Sequence, residues 1–501
     1  LKVVGGNYPT QIFPSTIAAS SGKWYAEFTQ AQNQYPLLGV ADANLFKSLH
    51  NTGGIRGSGA ITWDLGSTQG RYFINSTTES TSSGKGNNGD VIQIAFDADS
   101  RKVWFGINNT WKNSGSNAGN PAAGTYQIGV VDNTGPLLFF MRPEDTTQTA
   151  NFGQKTFAYT PPSGFSALST ANLPAPAIPL PSAQFNTVLY TGNGGTNAIT
   201  GVGFQPDLVW IKSRSLAKYH VLTDVLRGVN KELYLPSTGA EYNQTDGLTA
   251  FGSDGFTLGA DAEYNTNGAT QVSWSWKGNG SGSSNSDGTI TSTVSANQTA
   301  GFSIVKYTGN GSSNVSVGHG LNVAPDLYIV KSLTSGSYWA YTTAIDGSFD
   351  YLALNTTAAK NNSTLTAPTS ALFHQSEANA SIAYCFASKP GFSKIGTYIG
   401  NGSATAGPFI NTGFKPAWVM VKITSAADLN WNIFDNKRDV DNGAFAFLAP
   451  NTNAAEGSQI TLDLLSNGFK IQNAGSYINS NAATYLYMAF AESPFKTSNA
   501  R

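Results

Sequence analysis

Gly203-Phe-Gln-Pro-Asp-Leu-Val-Trp-Ile-Lys212 recurs as Val323-Ala-Pro-Asp-Leu-Tyr-Ile-Val-Lys331 and again as Gly413-Phe-Lys-Pro-Ala-Trp-Val-Met-Val-Lys422. Each copy sets a proline, one further residue, four apolar residues and a lysine in the same order. Proline lacks a backbone donor, so it belongs where a strand begins and no ladder bond is required. The apolar run after it reads as a buried strand. A second element keeps step with the first: Tyr190-Thr-Gly-Asn-Gly194, Tyr307-Thr-Gly-Asn-Gly311 and Tyr398-Ile-Gly-Asn-Gly402, at offsets of 117 and 91 residues. It reads as a strand end entering a tight turn that needs positive φ. A third element closes each unit: Val272-Ser-Trp-Ser-Trp276, Ile382-Ala-Tyr-Cys-Phe386 and Leu486-Tyr-Met-Ala-Phe490.

Three elements in one order, three times over, define a repeat, and a period near 100 residues is too long for a solenoid unit. It suits tandem β-sandwich or jelly-roll-like domains, placed at 185–277, 298–388 and 389–501. Residues 278–297 between the first two are rich in Gly and Ser and read as a flexible linker. The spacer Ser388-Lys-Pro-Gly391 is short, so repeats two and three should lie close together. Ser275, Cys385 and Ala489 share the small position of the closing strand. The lone cysteine therefore reads as a small core residue rather than a nucleophile.

Upstream, residues 1–172 show short alternating segments such as Lys23-Trp-Tyr-Ala-Glu-Phe28, Val91-Ile-Gln-Ile-Ala-Phe96 and Lys102-Val-Trp-Phe-Gly-Ile107. Period-two alternation of aromatic and β-branched residues, broken by Gly, Asn and Asp, signals strands. Pro174, Pro176, Pro179 and Pro181 then make 173–184 an extended, stiff connector and a domain boundary. Composition agrees: only 12% of residues are charged and glycines number 54 of 501, the profile of a turn-rich all-β protein. With 29 basic against 30 acidic residues, no net field exists to hold nucleic acid or an anionic membrane. No apolar run reaches the roughly 20 residues of a membrane helix, so no membrane insertion is expected. The chain opens at Leu1 rather than Met, and we expect a segment upstream of it.

Chemistry-bearing motifs are scarce. No nucleophile elbow, phosphate-binding loop or zinc-protease helix occurs, and no cofactor is expected. Asp97 and Asp99 lie in what reads as a hairpin turn, and Glu144-Asp145 lies in a polar loop. Neither resembles the facing carboxylates of a glycosidase. Asp435, Asp439 and Asp441, followed by Gly443, are a weak candidate for a calcium loop, and a charged surface turn is the favoured reading. His50, His220, His319 and His374 stand far apart in sequence and read as structural. Trp63, Trp111, Tyr219, Trp339 and Trp431 fall in turn-rich stretches, and the last three occupy similar places in the repeats. Aromatic residues on loops stack on sugar rings or anchor protein interfaces, so these five are the candidate binding residues, against a competing reading as core.

Ser21-Gly-Lys-Trp-Tyr-Ala-Glu-Phe28, Leu38-Gly-Val-Ala-Asp42, Gly89-Asp-Val-Ile92, Lys102-Val-Trp-Phe-Gly106 with Asn109-Thr-Trp111, Asn151-Phe-Gly-Gln154 and Tyr159-Thr-Pro-Pro-Ser-Gly-Phe165 follow one another over most of residues 15–170. This series resembles the SPRY family of concanavalin-like β-sandwiches. The resemblance implies an interaction module with partner-binding loops at one sandwich edge and no catalytic residues. The repeats, with the ending Ala489-Phe-Ala-Glu-Ser-Pro-Phe-Lys496 to Ala500-Arg501, resemble a repeated β domain of tailed-bacteriophage virion proteins. That resemblance implies a particle-surface component whose C-terminus is natural. We therefore expect a non-enzymatic virion structural protein, a tail-fibre-like or adhesin-like element for host attachment. Its partners would be other virion proteins and a host cell-surface glycan or protein, and a homo-oligomer, a trimer above all, would raise avidity. The alternatives are a capsid decoration or head-fibre protein, a glycan-binding lectin or hydrolase on a concanavalin-like fold, and a secreted adhesin.

Overall fold

The computed structural model describes residues 2–4, 12–15, 17–30, 36–43, 58–65, 70–75, 77–79, 84, 86–112, 117–142, 147–459 and 461–498. The fold is all-β: among these residues, helix is confined to the single turn Ser476–Asn479 and three short 3-10 turns. The chain forms two compact units, Leu1–Ala175 and Pro176–Arg501.

The first unit is a sandwich of two antiparallel sheets. One places Thr147–Asn151, Lys23–Gln30, Val91–Asp97 and Lys102–Ile107 side by side, and the other Leu137–Arg142, Leu37–Asp42, Ala60–Asp64 and Arg71–Ile74. Side chains alternate across a strand. Trp24, Ala26 and Phe28, opposite Phe96, Ile94 and Ile92, therefore face inward onto Val40, Ile61 and Phe139 of the second sheet. The residue between, Tyr25, joins Trp104 and Phe165 on the outer face.

In the second unit each repeat is again two-layered, and the three larger sheets share one order: lead strand, closing strand, central strand, hairpin partner. In repeat 1 these are Phe185–Thr191, Thr270–Trp276, Leu208–Ser213 and His220–Asp224. In repeat 2 they are Phe302–Thr308, Ala380–Phe386, Leu327–Ser332 and Tyr338–Thr342, and in repeat 3 Ser393–Ile399, Thr484–Pro494, Phe414–Ile423 and Asn432–Asp435. A smaller sheet covers one face of each. The central strand explains why four consecutive apolar residues are required. Val209 and Ile211 point into the sandwich of repeat 1, and Tyr328 with Val330 and Val419 with Val421 do the same in the others. Leu208 and Trp210, Leu327 and Ile329, and Trp418 and Met420 point the other way, into one core common to all three repeats. The repeats are thus fused around that core rather than strung as separate lobes.

The Tyr-x-Gly-Asn-Gly motif is structural throughout. A Cβ on Gly192, Gly309 or Gly400 would stand 2.2, 1.8 or 2.2 Å from a backbone oxygen, so only glycine fits. Gly194, Gly311 and Gly402 have φ of 69°, 74° and 67°. Between them, the Asn193, Asn310 and Asn401 side chains each accept a backbone N–H two residues on, the Asx turn that favours asparagine there.

The segment read as a flexible linker contributes two strands. Ser283–Asn285 and Ser292–Asn297 extend the sheet of repeat 2, with Ser292 opposite Tyr307 and Asn297 opposite Phe302. Two of its glycines serve close packing: Cβ atoms on Gly282 and Gly288 would lie 2.7 and 2.4 Å from the oxygens of Val294 and Ser316. Ile290 and Val294 bury into the repeat-2 sandwich, too few apolar residues for the pattern to show in a Gly/Ser-rich stretch.

Contacts between repeats are cyclic. The buried Lys212 of repeat 1 reaches the Asn453 oxygen of repeat 3, Lys331 of repeat 2 the Gly239 oxygen of repeat 1, and Lys422 of repeat 3 the Thr357 oxygen of repeat 2. Burial lowers all three lysines to about 8. A second ring repeats the direction with three different donors in one register position. Tyr338 donates to the Tyr234 oxygen at 3.1 Å and Trp431 Nε1 to the Ala353 oxygen at 3.1 Å. His220 accepts from Trp210 Nε1 at Nδ1, which leaves Nε2–H toward the Ala449 carbonyl of repeat 3, approached without good hydrogen-bond geometry.

Candidate functional site

The structure divides the five aromatic candidates. Trp63 is 0% exposed, wedged 5.4 Å from both Tyr72 and Phe105, and Trp431 is 1% exposed in the shared core. Neither is available as a binding residue: Trp63 faces the interior of the first sandwich, and Trp431, just before Asn432–Asp435, is enclosed by the core that the repeats share. Trp111 is half-buried, edge-on to Tyr25 at 6.4 Å. Tyr219 is exposed and stacks at 5.7 Å on Tyr234, which meets exposed Tyr242 at 4.8 Å. Tyr219, Trp339 and Trp431 are not equivalent. Strand pairing aligns Trp339 with Val221 and Asn432, and Trp431 with His220 and Tyr338.

The acids singled out from sequence are committed elsewhere. Asp97 Oδ1 accepts the Asp99 and Ser100 N–H groups, and Asp99 Oδ2 accepts that of Gly22, which makes the pair a hairpin turn. Glu144, Asp145 and His50 lie outside the described residues. Asp435 is fully buried and ion-paired with Arg438 at 2.6 Å, while Asp439 accepts the N–H groups of Phe445 and Ala446. Asp441 is exposed. The loop therefore gives Asp435 and Asp439 structural work instead of converging them on a cation. Among the described residues no group of three or more His, Cys, Asp or Glu could hold a metal ion. His319 is buried, bonded to the Thr369 oxygen and the Leu321 N–H. Cys385 lies in the repeat-2 sandwich, its thiol pushed up to about 12 by burial.

Trp339 helps to line a groove of about 340 Å³ on repeat 2. Its walls combine Trp339, Tyr341 and Tyr351 with Asn362, Gln375 and Glu377. Trp339 stands edge-on to Tyr351 at 5.5 Å, and Tyr341 lies 5.9 Å from Tyr351. Tyr338–Thr342 and Asp350–Ala353 place these rings, with Trp339 opposite Ala353 and Tyr341 opposite Tyr351. The alternation Trp339-x-Tyr341 was visible in the sequence. Tyr351 and Glu377 carried no local signal, because hairpin pairing and the return of the chain bring them in.

At the same register in repeat 1, Tyr351 is replaced by Glu232, a fully buried acid that accepts hydroxyl hydrogens from Tyr234, at 2.7 Å, and Tyr264. Burial raises Glu232 to about 7 against a partial offset from the two hydroxyls, and Asp261 adds to the rise. The folded chain then holds this proton more tightly than the unfolded chain. The resulting stabilisation is present below about pH 4.5 and lost as pH rises through about 7. Above that, the buried charge costs of order 1–3 kcal/mol. Glu232→Gln is expected to raise Tm relative to wild type at pH 8, with a smaller gain at pH 5. Thermal melts at the two pH values check it, and a pH-independent difference would count against it.

A family model, "Domain of unknown function (DUF7483)", matches residues 180–494. No curated protein matches the chain. Among solved structures, the SPRY domain of human HERC1 is similar at 13% identity and a TM-score of 0.22, over 29% of this chain and 84% of that one. The TRIM65 PSpry domain is similar at 16% identity and a TM-score of 0.22, over 28% of this chain and 70% of that one.

Proposed function

Because this chain belongs to the DUF7483 family, we propose a function from its geometry: a non-enzymatic, surface-projecting attachment element of a bacteriophage virion, tail-fibre-like or adhesin-like. The observation that carries this reading is the fusion of three repeats around one core, which holds an aromatic-lined groove on rigid strands. Recognition surfaces on loops and grooves gain from such a scaffold because little ordering entropy is lost on binding. Against catalysis, Asp97, Asp99, Asp435 and Asp439 already accept backbone N–H groups or an arginine. The resemblance of the repeats to tailed-bacteriophage virion proteins supports the placement on a particle. The N-terminal sandwich, read as SPRY-like, would be the module that docks other virion proteins. The aromatic groove belongs to repeat 2, so grouping of chains, as a trimer above all, is the route to avidity.

The test is immunogold labelling of purified particles with an antibody against this chain. Label at tail fibres supports the reading, label over the whole head transfers the protein to capsid decoration, and unlabelled particles sink the virion assignment. Incubation with host polysaccharide checks the rest: sustained release of reducing ends would overturn the non-enzymatic role.

A further inference from the structure

We propose that the groove on repeat 2 is a saccharide site and that it takes a neutral sugar, stacked on Trp339 and Tyr351; this rests on the attachment reading above and deepens it. Sugars present apolar C–H faces ringed by hydroxyls. A site for them pairs aromatic rings with planar polar groups. Trp339 and Tyr351 are each half-buried, so both offer ring surface, and Tyr341 packs behind Tyr351. Asn362, Gln375 and Glu377 supply donors and acceptors at the rim and floor.

Gln375 forms part of the groove wall, 2% exposed, beside the Tyr328 and Tyr341 hydroxyls. The electrostatics select among sugars. Glu377 brings a carboxylate, and neither lysine nor arginine lines the groove, so sialic acids, uronic acids and phosphorylated glycans are disfavoured.

The groove is no by-product of the repeat. Where repeat 2 has Trp339 and Tyr341, repeat 1 has buried Val221 and Thr223, and repeat 3 has buried Asn432 and Phe434. Of these six side chains only Trp339 is half-buried rather than buried.

The full chain should be titrated, by calorimetry and tryptophan fluorescence, with neutral oligosaccharides of glucose, galactose, mannose and N-acetylglucosamine, and with oligogalacturonate as the acidic comparator. At least one neutral oligosaccharide is expected to bind and oligogalacturonate to bind more weakly. Trp339→Ala should weaken binding about tenfold or more, Trp339→Phe should retain part of it, and Glu377→Gln should reduce it with an unchanged melting profile. Failure of every neutral oligosaccharide, preference for the acidic one, or indifference to both Trp339→Ala and Glu377→Gln would overturn the proposal. These results are separable from the attachment reading. A chain that adsorbs to host cells unaffected by Trp339→Ala keeps its role and loses this site. A chain that binds sugars at Trp339 but is missing from particles loses the role and keeps the site.

Discussion

Replacing Phe490 with alanine is expected to destabilise residues 176–501 by about 3–5 kcal/mol, and to lower one common transition rather than that of repeat 3 alone. Phe490 lies on the closing strand of repeat 3, yet its ring meets partners from every repeat. It stacks on Phe185 at 4.8 Å, and lies 5.7 Å from Trp276, 6.1 Å from Phe386 and 5.8 Å from Trp418. Truncation removes an aromatic side chain at the point where three sheets converge. Strands from separate repeats cannot all shift inward to fill the space, so the cavity term should be felt in full. Differential scanning calorimetry of the whole chain reads the outcome. The endotherm of the C-terminal unit should move down by several degrees as one peak, with the N-terminal sandwich unchanged. A split endotherm, in which repeats 1 and 2 keep their wild-type transition, would show that the common core is not a cooperative unit.

The second large effect concerns a buried charge. Arg438→Ile should cost about 3–5 kcal/mol, because Asp435 stays behind as an uncompensated carboxylate. Arg438 Nε bonds Asp435 Oδ2 at 2.6 Å, and both side chains are 0% exposed. Trp274 Nε1 of repeat 1 donates to the same oxygen at 3.0 Å, and Arg438 lies over the Trp274 ring at 5.7 Å. Repeat 1 has the same device: Asp224 and Arg227 pair at 2.5 Å, and Tyr384 of repeat 2 donates to Asp224 at 2.8 Å. Repeat 2 carries Thr342 and Ile345 at these positions, and the closing-strand residue in the place of Trp274 and Tyr384 is Met488 in repeat 3. A donor on the neighbouring repeat thus coincides with an acid–arginine pair, and a thioether with its apolar substitute. The double change Asp435→Thr with Arg438→Ile should therefore recover much of the loss, short of what the stranded Trp274 N–H costs. Denaturant unfolding of the two variants decides: a double variant no more stable than Arg438→Ile would refute this account.

The repeats were legible because their signals are local. A proline, a run of four apolar residues and a glycine-fixed turn can be read without knowing the neighbours, and all three became the same strands in the same order. That the apolar run serves two cores was not legible, since a strand buried on both faces looks the same whether its second cover comes from its own domain or another. The glycines of 278–288 misled for a related reason. Glycine marks freedom or crowding with equal force, and Gly288 is there for crowding. Among the candidate site residues, Trp63 and Trp431 were drawn by nearby turns, although strand pairing turns Trp63 inward and the core shared by the repeats encloses Trp431. Trp339 survived because, on the same inner face as Val330, it is only half-buried and borders the groove with Tyr351, a fact of tertiary pairing.

The cyclic contacts carry a consequence for how this region can change. In a ring of three separate identical chains, any substitution arrives at three seats together and must suit all of them. Here the seats are written separately along one polypeptide, and so a single seat can be altered while the other two hold the ring closed. Histidine, tyrosine and tryptophan at positions 220, 338 and 431 are what such independence permits, and so is a half-buried Trp339 where the other two repeats bury Val221 and Asn432.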